Sequence, residues 1–252
     1  MITTSAIGID IGGTGIKGAV VDLTTGALLS DRVKLPTPKG GRPQDIIEAT
    51  RTLLATVSKD VDGLPVGVCF PAVVKNGHTM SAANVSSKWI GLAAETLFEK
   101  VLGHPIHFVN DADAAGYAES QFGAAQDVAG VVLLTTLGTG IGSALLNDGV
   151  LVPNTELGHL EIDGYDYETR AAYSAKERED LSWDKWAARL QKYYSTLELL
   201  FSPDLFIVGG GVSKHHESFL PLLRLKTRII PAVHRNNAGI LGAAALAARF
   251  PG

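Results

Sequence analysis

One cysteine, Cys69, is all the thiol chemistry this sequence offers. It excludes an intramolecular disulfide and any cluster of cysteine metal ligands. Its place in the apolar run Val66-Gly67-Val68-Cys69-Phe70 predicts a buried, inert thiol. There is no apolar stretch of about 18 residues or more, and no charged n-region with an h-region at the N-terminus. Neither a membrane span nor a signal peptide is expected, and a cytoplasmic location follows by default. An excess of positive charge is missing too: the formal charge is −4, so no global field draws the chain to nucleic acid or membrane. Any polyanion must be held by a local patch. Charged residues make up only 19% against 46% hydrophobic, which argues for a compact protein rather than a disordered one. With 252 residues the chain can bury a substantial core, in one large domain or two small ones.

Glycine is what the sequence has in quantity, and it gathers where apolar runs end. The stretch Ile7 to Lys17 is an apolar strand closing in Asp10, Gly12, Gly13, Thr14, Gly15 and Lys17. Glycines permit close backbone approach, and consecutive N–H groups form an anion-binding nest, so the loop reads as a phosphate cradle. Gly13, Gly15 and Gly18 also match a dinucleotide fingerprint, but that motif needs a helix at the glycines and an apolar strand follows instead. A Walker A loop would need Gly-Lys-Ser/Thr, which is absent. A glycine hairpin with no ligand remains open on this stretch alone.

Along the chain, apolar runs and turn signals predict strands at about 5–11, 15–22 and 26–35, a helix over 44–58 and a buried strand at 65–70. Ser81 to Trp89 is a polar loop, suited to hydrogen-bonding a hydroxylated ligand, although most such loops only connect. A helix at about 92–102 leads to a strand at 106–109, which ends at Asn110-Asp111 before an alanine-rich helix to Gln121. Acids there serve the helix dipole and cap, or else stand at a strand's C-terminal end where α/β sheets collect ligands. The pattern then restarts, with a strand over 129–136, the loop Leu137 to Gly142 and a strand over 143–146. This repeats the layout of residues 7–23 and suggests an internal duplication, with two phosphate hairpins facing one another.

Glu156, His159 and Glu168 cluster next; a metal site of the Glu-x-x-His kind would need a second copy, which the chain lacks. A helix over 182–201 carries Trp183, Trp186, Leu190, Tyr193, Tyr194 and Leu197 on one face, as core or as a dimer surface. A buried strand at 205–208 ends in Gly209-Gly210-Gly211, and from Lys214 to Arg235 five basic residues stand against one acid, Glu217. Such a run is commonly only solvated charge. Asn236-Asn237 caps a last helix over 239–249.

Five motifs in order, DIGGTGIK at 10–17, VNDADAAGYAE at 109–119, TLGTGIG at 136–142, ELGH at 156–159 and VGGGVS at 208–213, resemble the sugar kinases of the ROK family within the actin-like ATPase superfamily. The resemblance implies an α/β, actin-like (ribonuclease H-like) fold of two α/β domains flanking a cleft, about 1–121 plus 239–252 and about 122–238. Two departures narrow it. The family's cysteine-rich zinc motif is replaced after ELGHLE by Ile162 to Arg170, so no zinc is expected, and only four residues precede the first strand, where family repressors carry a DNA-binding domain, so no DNA-binding role is expected. A short chain without that motif resembles most the actinobacterial members that phosphorylate glucose from polyphosphate, ATP or both.

By that resemblance, Asp111 is the catalytic base and Asp10 holds Mg²⁺, through water. Gly12, Gly13, Thr14, Lys17, Thr139, Gly140, Gly210, Gly211 and Lys214 bind donor phosphates. Asn110, Asp111, Glu156, His159 and Glu168, with Ser81, Asn84 and Gly138, bind the sugar. The corresponding histidine is a metal ligand in zinc-bearing relatives, so His159 needs another anchor here. The expected partners are glucose, polyphosphate or ATP and a second copy of the chain, with no nucleic acid and no membrane. A strictly ATP-dependent kinase for glucose, mannose or an amino sugar is the alternative; a non-catalytic sugar sensor would need neither Asp10 nor Asp111.

Overall fold

The computed structural model describes residues 4–59 and 61–250. The chain divides into two compact units, Met1–Ala118 with Asn237–Gly252, and Glu119–Asn236.

In the first unit, β1 (Ser5–Ile11) turns at the glycines into β2 (Gly15–Asp22), and β3 (Val33–Pro36) follows. Helix α1 (Pro43–Val57) has proline at its first turn, where the missing N–H costs nothing, and buries Ile46, Ile47, Leu53, Leu54 and Val57 along one face. Next come β4 (Val66–Phe70), a small hairpin of β5 (Val74–Lys75) and β6 (His78–Thr79), and helix α2 (Ala94–Leu102), which Gly103 ends at φ +66°. Strand β7 (Ile106–Asn110) runs into helix α3 (Asp111–Phe122). The sheet order is β3-β2-β1-β4-β7, antiparallel through the first three strands and parallel from β1 onward.

The second unit repeats that plan. Strands β8 (Val131–Leu137), β9 (Ile141–Asn147) and β10 (Val150–Val152) form a meander, followed by a hairpin of β11 (Glu161–Ile162) and β12 (Tyr165–Asp166). Helices α4 (Glu168–Ala171), α5 (Tyr173–Arg178) and α6 (Trp183–Phe201) lead to β13 (Leu205–Gly209) and β14 (Arg228–Pro231). The order β10-β9-β8-β13-β14, with the same strand directions, matches the first sheet strand for strand. Each glycine loop therefore occupies the same turn of its own sheet, which bears out the duplication read from the sequence.

The C-terminal helix, Ala238–Arg249, returns to the first unit. It is rich in alanine and glycine because it lies backbone-to-backbone on the sheet. A Cβ on Gly67 would sit inside the carbonyl of Ala243, and one on Gly8 inside that of Ile240.

Several expectations need correction. The strand expected over 26–35 is interrupted: Leu28 pairs with Val21 in a single bridge, Ser30 Oγ then takes the Val20 N–H at 3.0 Å that a strand carbonyl would take, and the regular strand begins at Val33. The side chain of Asn237 does not cap the last helix; its Oδ1 accepts from Arg32 at 2.8 Å. The aromatic face of α6 is mostly core: Trp186, Leu190, Tyr193, Tyr194 and Leu197 are buried within their own unit, while Trp183 at its first turn is half-buried. The two short hairpins, β10, α4, α5 and β14 are additions to the sequence reading. Among the described residues no helix is long and apolar enough to cross a membrane.

Candidate functional site

Strands β1, β4 and β7 run parallel and end side by side, which sets the first group of candidates. Asp10 lies opposite Lys17 in the β1–β2 register, and Lys17 Nζ donates to Asp10 Oδ2 at 2.9 Å. On the other side Asp10 lies opposite Cys69, whose Sγ–H points to Asp10 Oδ1 at 3.7 Å and to the Gly239 carbonyl at 3.5 Å. Burial pushes the Cys69 thiol well up, and the charges of Asp10 and Asp111 push it further. It is the buried thiol expected.

The loop between β1 and β2 is held from outside. Gly12 N–H donates to the Gly15 carbonyl at 3.0 Å, and Thr37 Oγ1 donates to the Gly12 carbonyl at 2.5 Å. Gly13 and Thr14 stay exposed. Asn84 crosses over the loop: a Cβ on Gly13 would lie 3.2 Å from Asn84 Cβ. Ser81 has a structural bond, its Oγ accepting from Val73 N–H at 2.9 Å.

Asn110 caps helix α3. Its Oδ1 accepts from the N–H groups of Ala112 and Asp113 at 2.8 and 3.0 Å, and its Nδ2 donates to the Ala72 carbonyl at 3.0 Å. One amide N–H is left for a ligand. Asp111 is half-buried at the head of α3, with Oδ1 accepting from Ala112 N–H at 2.9 Å.

The second unit assembles the rest around Gly138, Thr139 and Gly140. Gly138 N–H donates to the Gly140 carbonyl at 3.0 Å, the counterpart of the Gly12 bond. Ser174 holds this loop twice, through N–H to Gly138 O at 3.0 Å and through Oγ to Thr139 O at 2.6 Å. Glu168 Oε2 accepts from Ile141 N–H at 2.7 Å and fills the space above Gly140.

Glu156 and His159 belong to a turn ending in a short 3-10 helix, Leu157–His159, with Gly158 pressed against Ile141 of β9. His159 Nδ1–H donates to Asp166 Oδ2 at 2.8 Å, and Nε2 lies 4.0 Å from Glu156 Oε2. The bond to Asp166 is the chief cause that raises the His159 pKa, with the charges of Glu168 and Glu156 adding to it. Burial pushes the Glu156 carboxyl up; His159 opposes that and Glu168 adds to it. Asp166 is the residue that sequence reasoning missed. Its signal was Asp163-Gly164, a hairpin turn with φ of +56° and +76° that sets Asp166 beside the histidine.

The basic run from 214 to 235 does not form one patch. Gly210, at φ +80°, packs on the backbone of Leu137, and Lys214 is exposed on the 3-10 helix Gly211–Ser218 beyond β13. Arg228 opens β14 opposite Leu205, at the other end of β13, roughly 13 Å from Gly209 at the strand rise. Arg224 and Thr227 bond through their N–H groups to Gln191 and Glu198 of α6.

Among the described residues, no three His, Cys, Asp or Glu side chains are grouped to hold a metal by themselves. Asp10 still suits Mg²⁺, which keeps several waters and takes one or two carboxylates plus substrate phosphates. One carboxylate at the mouth of a glycine loop is that share.

The ROK family model matches residues 6–170. Polyphosphate glucokinase of Mycobacterium tuberculosis (strain CDC 1551 / Oshkosh) is 45% identical over 242 residues, 94% of this chain and 89% of that one. The crystal structure of inorganic polyphosphate/ATP-glucomannokinase from Arthrobacter sp. strain KM superposes with a TM-score of 0.93 at 52% identity, over 98% of this chain and 99% of that one. A ROK family glucokinase from Streptomyces griseus, in complex with glucose and AMPPNP, gives 0.82 at 25% identity, over 98% and 100%. The fold is the expected α/β, actin-like ATPase class, shared with these sugar kinases.

Proposed function

The chain belongs to the ROK family, and on that premise we propose that it transfers a phosphoryl group from inorganic polyphosphate, and also from ATP, to the 6-hydroxyl of glucose. What carries the reading is its similarity, along nearly the whole chain, to a polyphosphate glucokinase. The retained chemistry supports it: a half-buried Asp111 at a helix head, and an Asp10–Lys17 pair at a phosphate loop.

Phosphoryl transfer requires in-line positioning and charge neutralisation more than covalent help. Asp111 accepts the proton of the sugar 6-hydroxyl as that oxygen bonds to the terminal phosphorus, while the P–O bond to the rest of the donor breaks and the shortened polyphosphate, or ADP, leaves with its electron pair. Glycine N–H groups at Gly12, Gly13 and Gly140 with the hydroxyls of Thr14 and Thr139 hold phosphate oxygens, and Lys17 adds a positive charge. Gly210, Gly211 and Lys214 extend the donor site. Asp10 is the residue that would hold Mg²⁺, and the ion, when bound, would supply neutralisation of charge on the transferring group. Glu156, His159, Glu168 and the free N–H of Asn110, with Asn84, Ser81 and Gly138, take the sugar hydroxyls. Carboxylates and amides left unpaired by a substrate without those hydroxyls discriminate against it.

The test is glucose 6-phosphate formation with Mg²⁺ and glucose, comparing nucleotide-free polyphosphate with ATP. Product from polyphosphate is expected. Product from ATP alone would replace the donor and favour a strictly ATP-dependent hexokinase, whereas product from neither would overturn the kinase reading.

A further inference from the structure

Sugar-binding side chains on an exposed turn need something to hold them still. His159 is more than half exposed at its side chain, on a 3-10 turn of three residues, and neither feature fixes an imidazole. We propose that Asp166 is a positioning residue that orients His159 and Glu168 for the acceptor sugar and, through Glu168, ties the sugar site to the phosphate loop at Gly138–Gly140. This rests on the sugar kinase reading above.

Both oxygens of Asp166 are engaged. Oδ2 accepts from His159 Nδ1–H at 2.8 Å, and Oδ1 accepts from Glu168 N–H at 3.2 Å. Its backbone carbonyl accepts from Thr169 Oγ1 at 2.6 Å. The carboxylate is therefore fixed in orientation and cannot follow a moving ring. The hairpin bearing it is anchored by buried Ile162 and Tyr167 and by an ion pair of Asp163 with Lys192 of α6. From Glu168 the chain of contacts passes at once to Ile141 N–H, at the exit of the phosphate loop.

The chemistry follows from the tautomer. A carboxylate accepts only, so the Nδ1 of His159 must carry its proton and Nε2 points away toward the sugar side, near Glu156. In the neutral ring Nε2 accepts a sugar hydroxyl; in the protonated ring it donates. Glu156, Asp166 and Glu168 all face the imidazole with negative charge and hold its proton to higher pH. An amide at 166 has one acceptor oxygen for two donors, so Asp166→Asn must lose one of the two bonds. Keeping Glu168 N–H leaves the amide N–H₂ facing His159, which reverses the tautomer.

The experiment combines steady-state kinetics with glucose and polyphosphate, for wild type, Asp166→Asn, His159→Ala and the double variant, with NMR titration of the His159 ring in wild type and Asp166→Asn. Asp166→Asn is expected to raise the glucose KM about tenfold, the size of effect that outer-shell partners have on metal sites. The polyphosphate KM should stay within about twofold, and the ring titration should fall back toward the ordinary imidazole range. In the His159→Ala background the same change should add less than about twofold, because coupled residues are not additive. An unchanged glucose KM, an unchanged titration or full additivity would overturn the proposal while leaving the kinase reading intact. A wild-type protein that phosphorylates no sugar would overturn the kinase reading and this proposal with it.

Discussion

Gly239 lies directly beneath Asp10: a Cβ there would stand 2.9 Å from Asp10 Cγ and 3.1 Å from Cys69 Sγ. The first turn of the C-terminal helix thus sets the position of the carboxylate proposed to hold the metal. Gly239→Ala adds one methyl group and forces that carboxylate or the thiol aside. Misplacement of a catalytic group by about 1 Å costs on the order of a hundredfold in rate. We expect kcat to fall by about that factor with the glucose KM nearly unchanged. A variant with wild-type kcat would show that Asp10 tolerates displacement and is not the metal carboxylate.

Asp111→Asn isolates proton transfer from shape. The helix cap belongs to Asn110, so the variant keeps the start of α3. Losing a general base costs about 10²–10⁴ in rate. We expect kcat to drop within that range while calorimetry shows glucose binding within a few-fold of wild type. Near-normal turnover would remove Asp111 from its role.

The legible parts of this protein are those in which local chemistry decides the structure. The two glycine hairpins and the strand ends carrying Asp10 and Asp111 follow from apolar runs stopped by glycine or by a helix cap. The first meander and the two strands that repeat it at 129–146 were visible for the same reason. What was hidden depends on partners distant in sequence. Ser30 stops a strand by bonding across to Val20, and Asn237 gives up a cap to Arg32, 205 residues away. Arg228 reads as one of a basic cluster until its pairing with Leu205 places it at the far end of the sheet. Asp166 lay in plain view behind an Asp-Gly turn, yet its meaning required the position of His159.

Gly67→Ala tests the packing of the C-terminal helix without touching the chemistry. The intruding Cβ meets the backbone of Ala243, which has no rotamer to change. Overpacking of this kind costs about 1–3 kcal/mol, and contact with backbone places it at the upper end. Urea unfolding should show a lower midpoint with an unchanged slope. An equal midpoint would mean that the helix shifts freely on the sheet.

The donor site can be mapped by comparing two lysines of the same basic run. Lys214 follows the Gly209–Gly211 turn, at the end of β13 where ligands of parallel strands collect. Lys226 lies between Arg224 and Thr227, both bonded to α6, near the opposite end of the strand. A phosphate chain held at the glycine loops would meet the first lysine and not the second. Lys214→Ala should raise the polyphosphate KM about three- to tenfold at low salt, with the difference shrinking as salt screens the charge. Lys226→Ala should leave it within about twofold. Equal effects from both would mean that the run acts as one diffuse field, and no effect from either would confine the donor to the loops themselves.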